Sequence, residues 1–183
     1  MISLGLMLLI VGCATKITST VTPTAMNSPS FRPVSRLYMS DDTPVLDARR
    51  QEAFFQAVRD RFSQCGVTVE QSAMTEKSLP AFAPFDVKNK VARDKASVEQ
   101  QRIRTFQPDD ILFLTWKDMT VYKLGGGVKS ADLVASLSET GSGRKLWTAT
   151  IAYEAGGVQS AADFGSLLAK HIIEDKMVPG CLP

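Results

Sequence analysis

Few side chains in this 183-residue sequence are suited to chemistry, and they are widely scattered. They are three cysteines (Cys13, Cys65, Cys181), one histidine (His171), the carboxylate pairs Asp41-Asp42 and Asp109-Asp110, and the glycine triplet Gly125-Gly126-Gly127. A protein zinc site draws on His and Cys at close spacing. With a single His and distant cysteines only Asp and Glu remain as donors, so neither a metal nor a cofactor is expected. A Ser-His-Asp triad would have to use His171, which sits beside Ile172 in a helical pattern, and no Ser-centred nucleophile elbow is present. The glycine triplet lacks the Lys-Ser/Thr and the strand–loop–helix context of a phosphate cradle and reads as a loop. Both acidic pairs stand where elements begin, so capping and turn roles account for them. No catalytic residue is assigned, and an enzyme is not expected.

Composition bounds the rest. Apolar residues make up 44% of the chain and the formal net charge is +2. That supports one globular core, and the dispersed basic residues give no electrostatic reason for nucleic-acid binding.

The elements that must position these residues can be read in order. Val34–Met39 alternates as a strand with a buried face. Asp41-Asp42-Thr43-Pro44 marks a turn and helix entry. The helix runs to about Cys65 with Phe54, Val58, Phe62 and Cys65 as its core stripe, and Gly66 stops it. Val67–Gln71 follows as a strand, giving a parallel strand–helix–strand unit. Leu79–Phe85 is an apolar, proline-broken loop. From Arg93 a charged helix is expected, with Val98, Ile103 and Phe106 inward and Lys95–Glu99 as a surface pair. Its charged side reads as a solvated face, although it could also meet anionic lipid headgroups or cell-wall carboxylates.

Ile111–Trp116 is a continuous apolar run, as in a central strand covered on both faces. It continues through Tyr122. Asp132–Ser138 and Leu146–Tyr153 alternate on either side of the glycine-bearing turn Glu139–Arg144. Ser160–Asp163 is a capping box opening a helix with Phe164, Leu168 and Ile172 inward. The expected fold is α/β: one domain over 34–183, a mixed sheet with helices mainly on one face, in the order β-α-β-(α)-β-β-β-α.

The start of the chain is different in kind. Met1–Gly12 is apolar, too short to span a bilayer as a helix and the right length for a signal-peptide core, although no Lys or Arg precedes it. It ends in Ile10-Val11-Gly12-Cys13, which resembles the lipobox of bacterial lipoproteins. The resemblance implies a signal peptide over 1–12 and a diacylglycerol (with an acyl chain such as palmitate) on Cys13. With Ala14 rather than Asp next, it also implies an outer-membrane address facing the periplasm. Residues 13–33, rich in Ser, Thr and Pro, read as a flexible tether with an r.m.s. span of roughly 25 Å. Packing of this stretch on the domain as an irregular strand is the alternative. In an exported protein Cys65 and Cys181 form an even pair in an oxidising compartment, so a disulfide between them is expected; two separated thiols are the other possibility.

From Asp109 onward, Asp-Asp-Ile-Leu-Phe-Leu, the Glu139-Thr140-Gly141 turn, Lys145-Leu146-Trp147 and the terminal helix resemble small envelope domains related to the TolB amino-terminal and curli-secretion-lipoprotein folds. Those are assembly and interaction modules without catalytic residues. The resemblance implies a membrane-anchored accessory module with an envelope protein partner, its contact region expected in Gly125–Gly143. The rivals are a small-ligand or lipid-handling accessory protein of a transporter, with an apolar cleft near Phe82, Phe85 and Trp116, and a cell-wall enzyme that would depend on His171 or an acidic pair.

Overall fold

The computed structural model describes residues 14–24, 32–41, 46–72, 90–122 and 126–181. Cys13, Asp42, Gly125, Phe82, Phe85 and the Leu79–Phe85 loop lie outside them, as does the Lys95 side chain.

Six strands form one mixed sheet: β1 (Lys16–Pro23), β2 (Arg36–Asp41), β3 (Thr68–Ser72), β4 (Asp110–Val121), β5 (Val128–Glu139) and β6 (Lys145–Gln159). Their spatial order is β1-β6-β5-β4-β2-β3. β2 runs parallel to both β3 and β4, and every other pairing is antiparallel. Three helices complete the domain: α1 (Ala48–Ser63), α2 (Lys90–Phe106) and α3 (Ala161–Glu174). The chain is therefore an α/β domain with a mixed sheet, and α1 and α3 share one face.

Strand alternation builds the core. On β4, Leu112 and Leu114 turn to α1 and α3, while Ile111 and Phe113 turn to α2. The α1/α3 side also takes Phe54, Phe55, Val58, Phe62, Phe164, Leu168, Ile172 and Trp147, all at most 2% exposed. α1 and α3 approach closely at Gly165, where a Cβ would lie 2.5 Å from the Phe54 carbonyl oxygen. Around that point the rings of Phe54, Trp116, Phe164 and Tyr153 meet edge-on or tilted, with centroids 4.5–6.0 Å apart. Trp116 is thus packed among rings, while Phe82 and Phe85, the other residues of the expected apolar cleft, lie outside the described residues.

Several sequence expectations change. Lys16–Pro23, expected within a flexible tether, is the edge strand β1, paired with β6 from Lys16↔Glu154 to Pro23↔Trp147. Its Ile17, Ser19 and Val21 are half-buried and its Thr18, Thr20 and Thr22 exposed, the period-two pattern of β-branched residues on a sheet edge. The entry to α1 is Asp47, whose side chain accepts the Arg50 N–H at 2.9 Å, not the Asp41-Asp42 pair. α2 begins at Lys90. Val98 is 60% exposed rather than inward, and Glu99, expected on the solvated face, is buried and accepts the Tyr38 hydroxyl. Rotating the helix this way lets Ile103 and Phe106 join Tyr38, Ile111 and Phe113. Burial, and then the Glu99 bond, hold the Tyr38 hydroxyl well above the usual phenol range.

Cys65 and Cys181 are bonded, with Cα atoms 5.0 Å apart. The bond ties the end of α1 to the C-terminal segment. That segment is also held by the Trp147 Nε1 bond to the Met177 carbonyl (2.5 Å) and by the Val34 N–H donating to the Pro179 carbonyl (2.9 Å).

Candidate functional site

The acidic pair at the start of β4 splits into two environments. Asp109 lies just outside the strand, and its carboxylate accepts the N–H groups of Ser35 (2.8 Å) and Arg36 (2.9 Å). Burial works against its charge, but those two bonds, with Arg32 and Arg36 nearby, win and hold it below the usual carboxylate range. This is the turn role expected of it. Asp110, one residue on, has a side chain on the opposite face and is 3% exposed. Burial, the neighbouring Asp109 charge and Glu139 push its carboxyl up to about 7, with Arg32 opposing. Its Oδ2 has no hydrogen-bond partner among the described residues.

Two strands bring Glu139 opposite Asp110 in the β4–β5 register. The turn that follows is tightly bonded: Gly143 N–H donates to the Glu139 carbonyl (2.8 Å), Glu139 N–H to the Arg144 carbonyl (2.9 Å), and Ser142 Oγ–H to the Glu139 carboxylate. Gly143 takes φ +67°, the left-handed conformation that closes such a turn. Thr140 N–H donates to the Asp109 carbonyl at 3.3 Å, stitching the turn to the start of β4. Thr140 Oγ1 is buried and, among the described residues, unpartnered.

Beside this turn lies an open cleft of about 480 Å³ lined by Arg32, Arg104, Gln107, Asp109, Glu139, Thr140 and their neighbours. Guanidinium groups and carboxylates face one hollow, so it suits a partner that presents both signs of charge and hydrogen-bonding groups. The described residues that line it include no Ser, Cys or His. Among the described residues, the carboxyl with a proton affinity raised to near neutrality, Asp110, is shut away from solvent.

The other singled-out residues are not drawn together. His171 is half-buried on α3 and lies 3.4 Å from Asp175 Oδ2 without hydrogen-bond geometry. Among the described residues no three His, Cys, Asp or Glu side chains converge as metal ligands. The glycine triplet does approach a cation: Gly126, at φ +61°, leaves the space a Cβ would need to the Arg50 guanidinium. That hollow, between Arg49, Arg50, Gly126 and Ser160–Ala162, adjoins the first turns of α1 and α3. Asp47 and the Ser160–Asp163 capping box already occupy those helix ends, which leaves little unsatisfied potential for an anion.

The expected contact region Gly125–Gly143 is mostly interior. β5 is flanked by β6 and β4, and Val128, Ala131, Leu133, Ala135 and Leu137 are buried. Its accessible parts are Lys129 and Asp132 along the strand and Gly141 and Ser142 at the turn. Arg32 and Gln107 were not singled out from sequence, and Arg104 only as one basic residue of the charged stretch, since nothing local marks residues gathered from separate segments.

No family model and no curated relative matches the chain. Solved structures do. The PelC dodecamer from Paraburkholderia phytofirmans is 12% identical with a TM-score of 0.51, covering 91% of this chain and 99% of that one. A point-substituted PelC dodecamer from the same organism gives the same identity and TM-score over 86% and 95% of the two chains. At this identity the likeness is one of fold.

Proposed function

We propose that the chain is an exported accessory module of a bacterial envelope, anchored through a lipid on Cys13 at the periplasmic face of the outer membrane, that acts by binding another envelope protein. The observation that carries the reading is the mixed-charge cleft beside the exposed Glu139–Arg144 turn. A tightly bonded turn next to the buried Thr140 hydroxyl of the cleft lining, unpartnered among the described residues, fits recognition of a polar protein surface, where such an atom gains a partner in the complex.

The test is in-cell photocrosslinking from Ser142, with Arg104→Glu and Cys13→Ala forms alongside. A discrete partner that is crosslinked by the parent and lost in Arg104→Glu supports the cleft as the contact surface. Loss in Cys13→Ala supports membrane placement. A crosslink pattern unchanged by Arg104→Glu removes the cleft from the reading.

A further inference from the structure

The tie between the N-terminus and the sheet limits how the domain can sit on a membrane. Thr15 Oγ1 accepts the Gly156 N–H at 3.1 Å and lies 3.4 Å from Gln159 Nε2, so the chain joins the end of β6 before β1 has begun. From Cys13 to Lys16 the backbone can span at most about 10 Å. A lipid on Cys13 therefore brings the bilayer to this end of the sheet rather than holding the domain off on a coil. At the same end lie the finish of β4 and β6, the start of β5 and the first turns of α1 and α3.

What this end presents suits such contact. Among the described residues Val158 and Val98 are the exposed large apolar side chains, and Val158 is the more exposed at 73%. Its segment is held from three sides. Thr15 binds Gly156, the Tyr122 hydroxyl donates to the Gly157 carbonyl at 3.3 Å, and Gly127 packs on the Gln159 carbonyl with no room for a Cβ. Val158 is displayed on a fixed frame. Among the described residues at this end of the sheet, Lys16, Arg49, Arg50 and Lys129 stand beside Asp47, Asp132, Glu154 and Asp163. This near balance neither repels a headgroup layer nor requires an anionic one.

We propose that this end of the sheet lies directly on the phospholipid surface that holds the anchor, with Val158 seated among the headgroups and the Glu139–Arg144 turn directed away. The inference rests on the lipid-anchor reading of Cys13. β4 alone is 12 residues long, which puts the cleft roughly 35 Å above the membrane, where a partner can reach it.

The test uses full-length protein purified from membranes and reconstituted in dioleoylphosphatidylcholine vesicles containing brominated lipid. An environment-sensitive fluorophore is placed at Val158→Cys or, in a second sample, at Ser142→Cys. Intact mass reports lipidation, and retention of the Cys65–Cys181 bond reports folding. A blue-shifted, bromolipid-quenched signal at 158 with neither change at 142 is the expected result. Lipidated protein whose two labels are equally unquenched overturns the orientation and leaves the lipoprotein reading standing. Protein that carries no lipid overturns both.

Discussion

Asp110 and Glu139 face each other across the β4–β5 pair, and only one of them is cut off from water: Asp110 is 3% exposed while Glu139 remains half-exposed beside its turn. The buried member therefore keeps its proton to about pH 7. A carboxyl raised in the folded state binds protons more tightly there than when unfolded. Its contribution is full below the unfolded value near 4 and is lost as pH rises through about 7. Asp110→Asn removes that liability. The expected outcome is a gain on the order of 4 kcal/mol at pH 8, vanishing near pH 4, measured by urea denaturation across that range. An unchanged pH profile would show that Asp110 is ionised in the folded protein.

The Cys65–Cys181 bond closes a loop of 116 residues. On the chain-entropy argument such a loop is worth about 4–5 kcal/mol. The C-terminal segment keeps its other ties, since Met177 and Val178 are buried and Trp147 and Val34 bond to its carbonyls. Reduction, or Cys65→Ser with Cys181→Ser, is therefore expected to lower stability by about 2–4 kcal/mol without unfolding the domain. Thermal melts with and without reductant read the loss, and a melt insensitive to reductant would mean that the bond closes no cooperative loop.

Close packing at Gly165 sets up an opposed pair of effects. Replacing a helical glycine by alanine gains about 1 kcal/mol of helix propensity. Here the added methyl would lie 2.5 Å from the Phe54 carbonyl oxygen, a backbone atom that cannot swing away. Overpacking of this kind costs about 1–3 kcal/mol and moves α3 off α1. Gly165→Ala is expected to be net destabilising, with altered near-ultraviolet dichroism from the Trp116 and Tyr153 rings that meet Phe164. A more stable variant would show that the α1–α3 contact has slack.

The fold was legible wherever burial imposed a period. The two-sided run Ile111–Phe113, the stripe Phe54-Val58-Phe62 and the Ser160–Asp163 box each have a physical signature within a few residues, and all three occupy the expected elements. The misreadings share a cause in tertiary context. Glu99 is paired from another element by Tyr38, so its charge said nothing about its exposure. β1 carries only Ile17 and Val21 as apolar residues, and its pairing with β6 is a property of the sheet, not of its Ser/Thr composition. The cleft was illegible for the same reason: Arg32 before β2, Arg104 on α2 and Glu139 at the end of β5 meet only in the tertiary fold.

That ordering of β1 has a direct test. Were residues 16–23 a tether, substitutions there would leave stability untouched. As an edge strand they carry Ile17 and Val21 half-buried against the main core cluster, and partial burial of each is worth about 1 kcal/mol. Ile17→Asp and Val21→Asp are each expected to lower the urea midpoint by an amount equivalent to about 1–2 kcal/mol, while Thr18→Asp and Thr20→Asp, on the exposed side, are expected to change it by less than about 0.5 kcal/mol. Hydrogen exchange gives an independent reading, because an edge strand paired on one side protects alternate amides. Protection at every second residue between 17 and 23 is the expected pattern. Uniformly fast exchange there would return the segment to a tether and lengthen the connection from Cys13 to the domain accordingly.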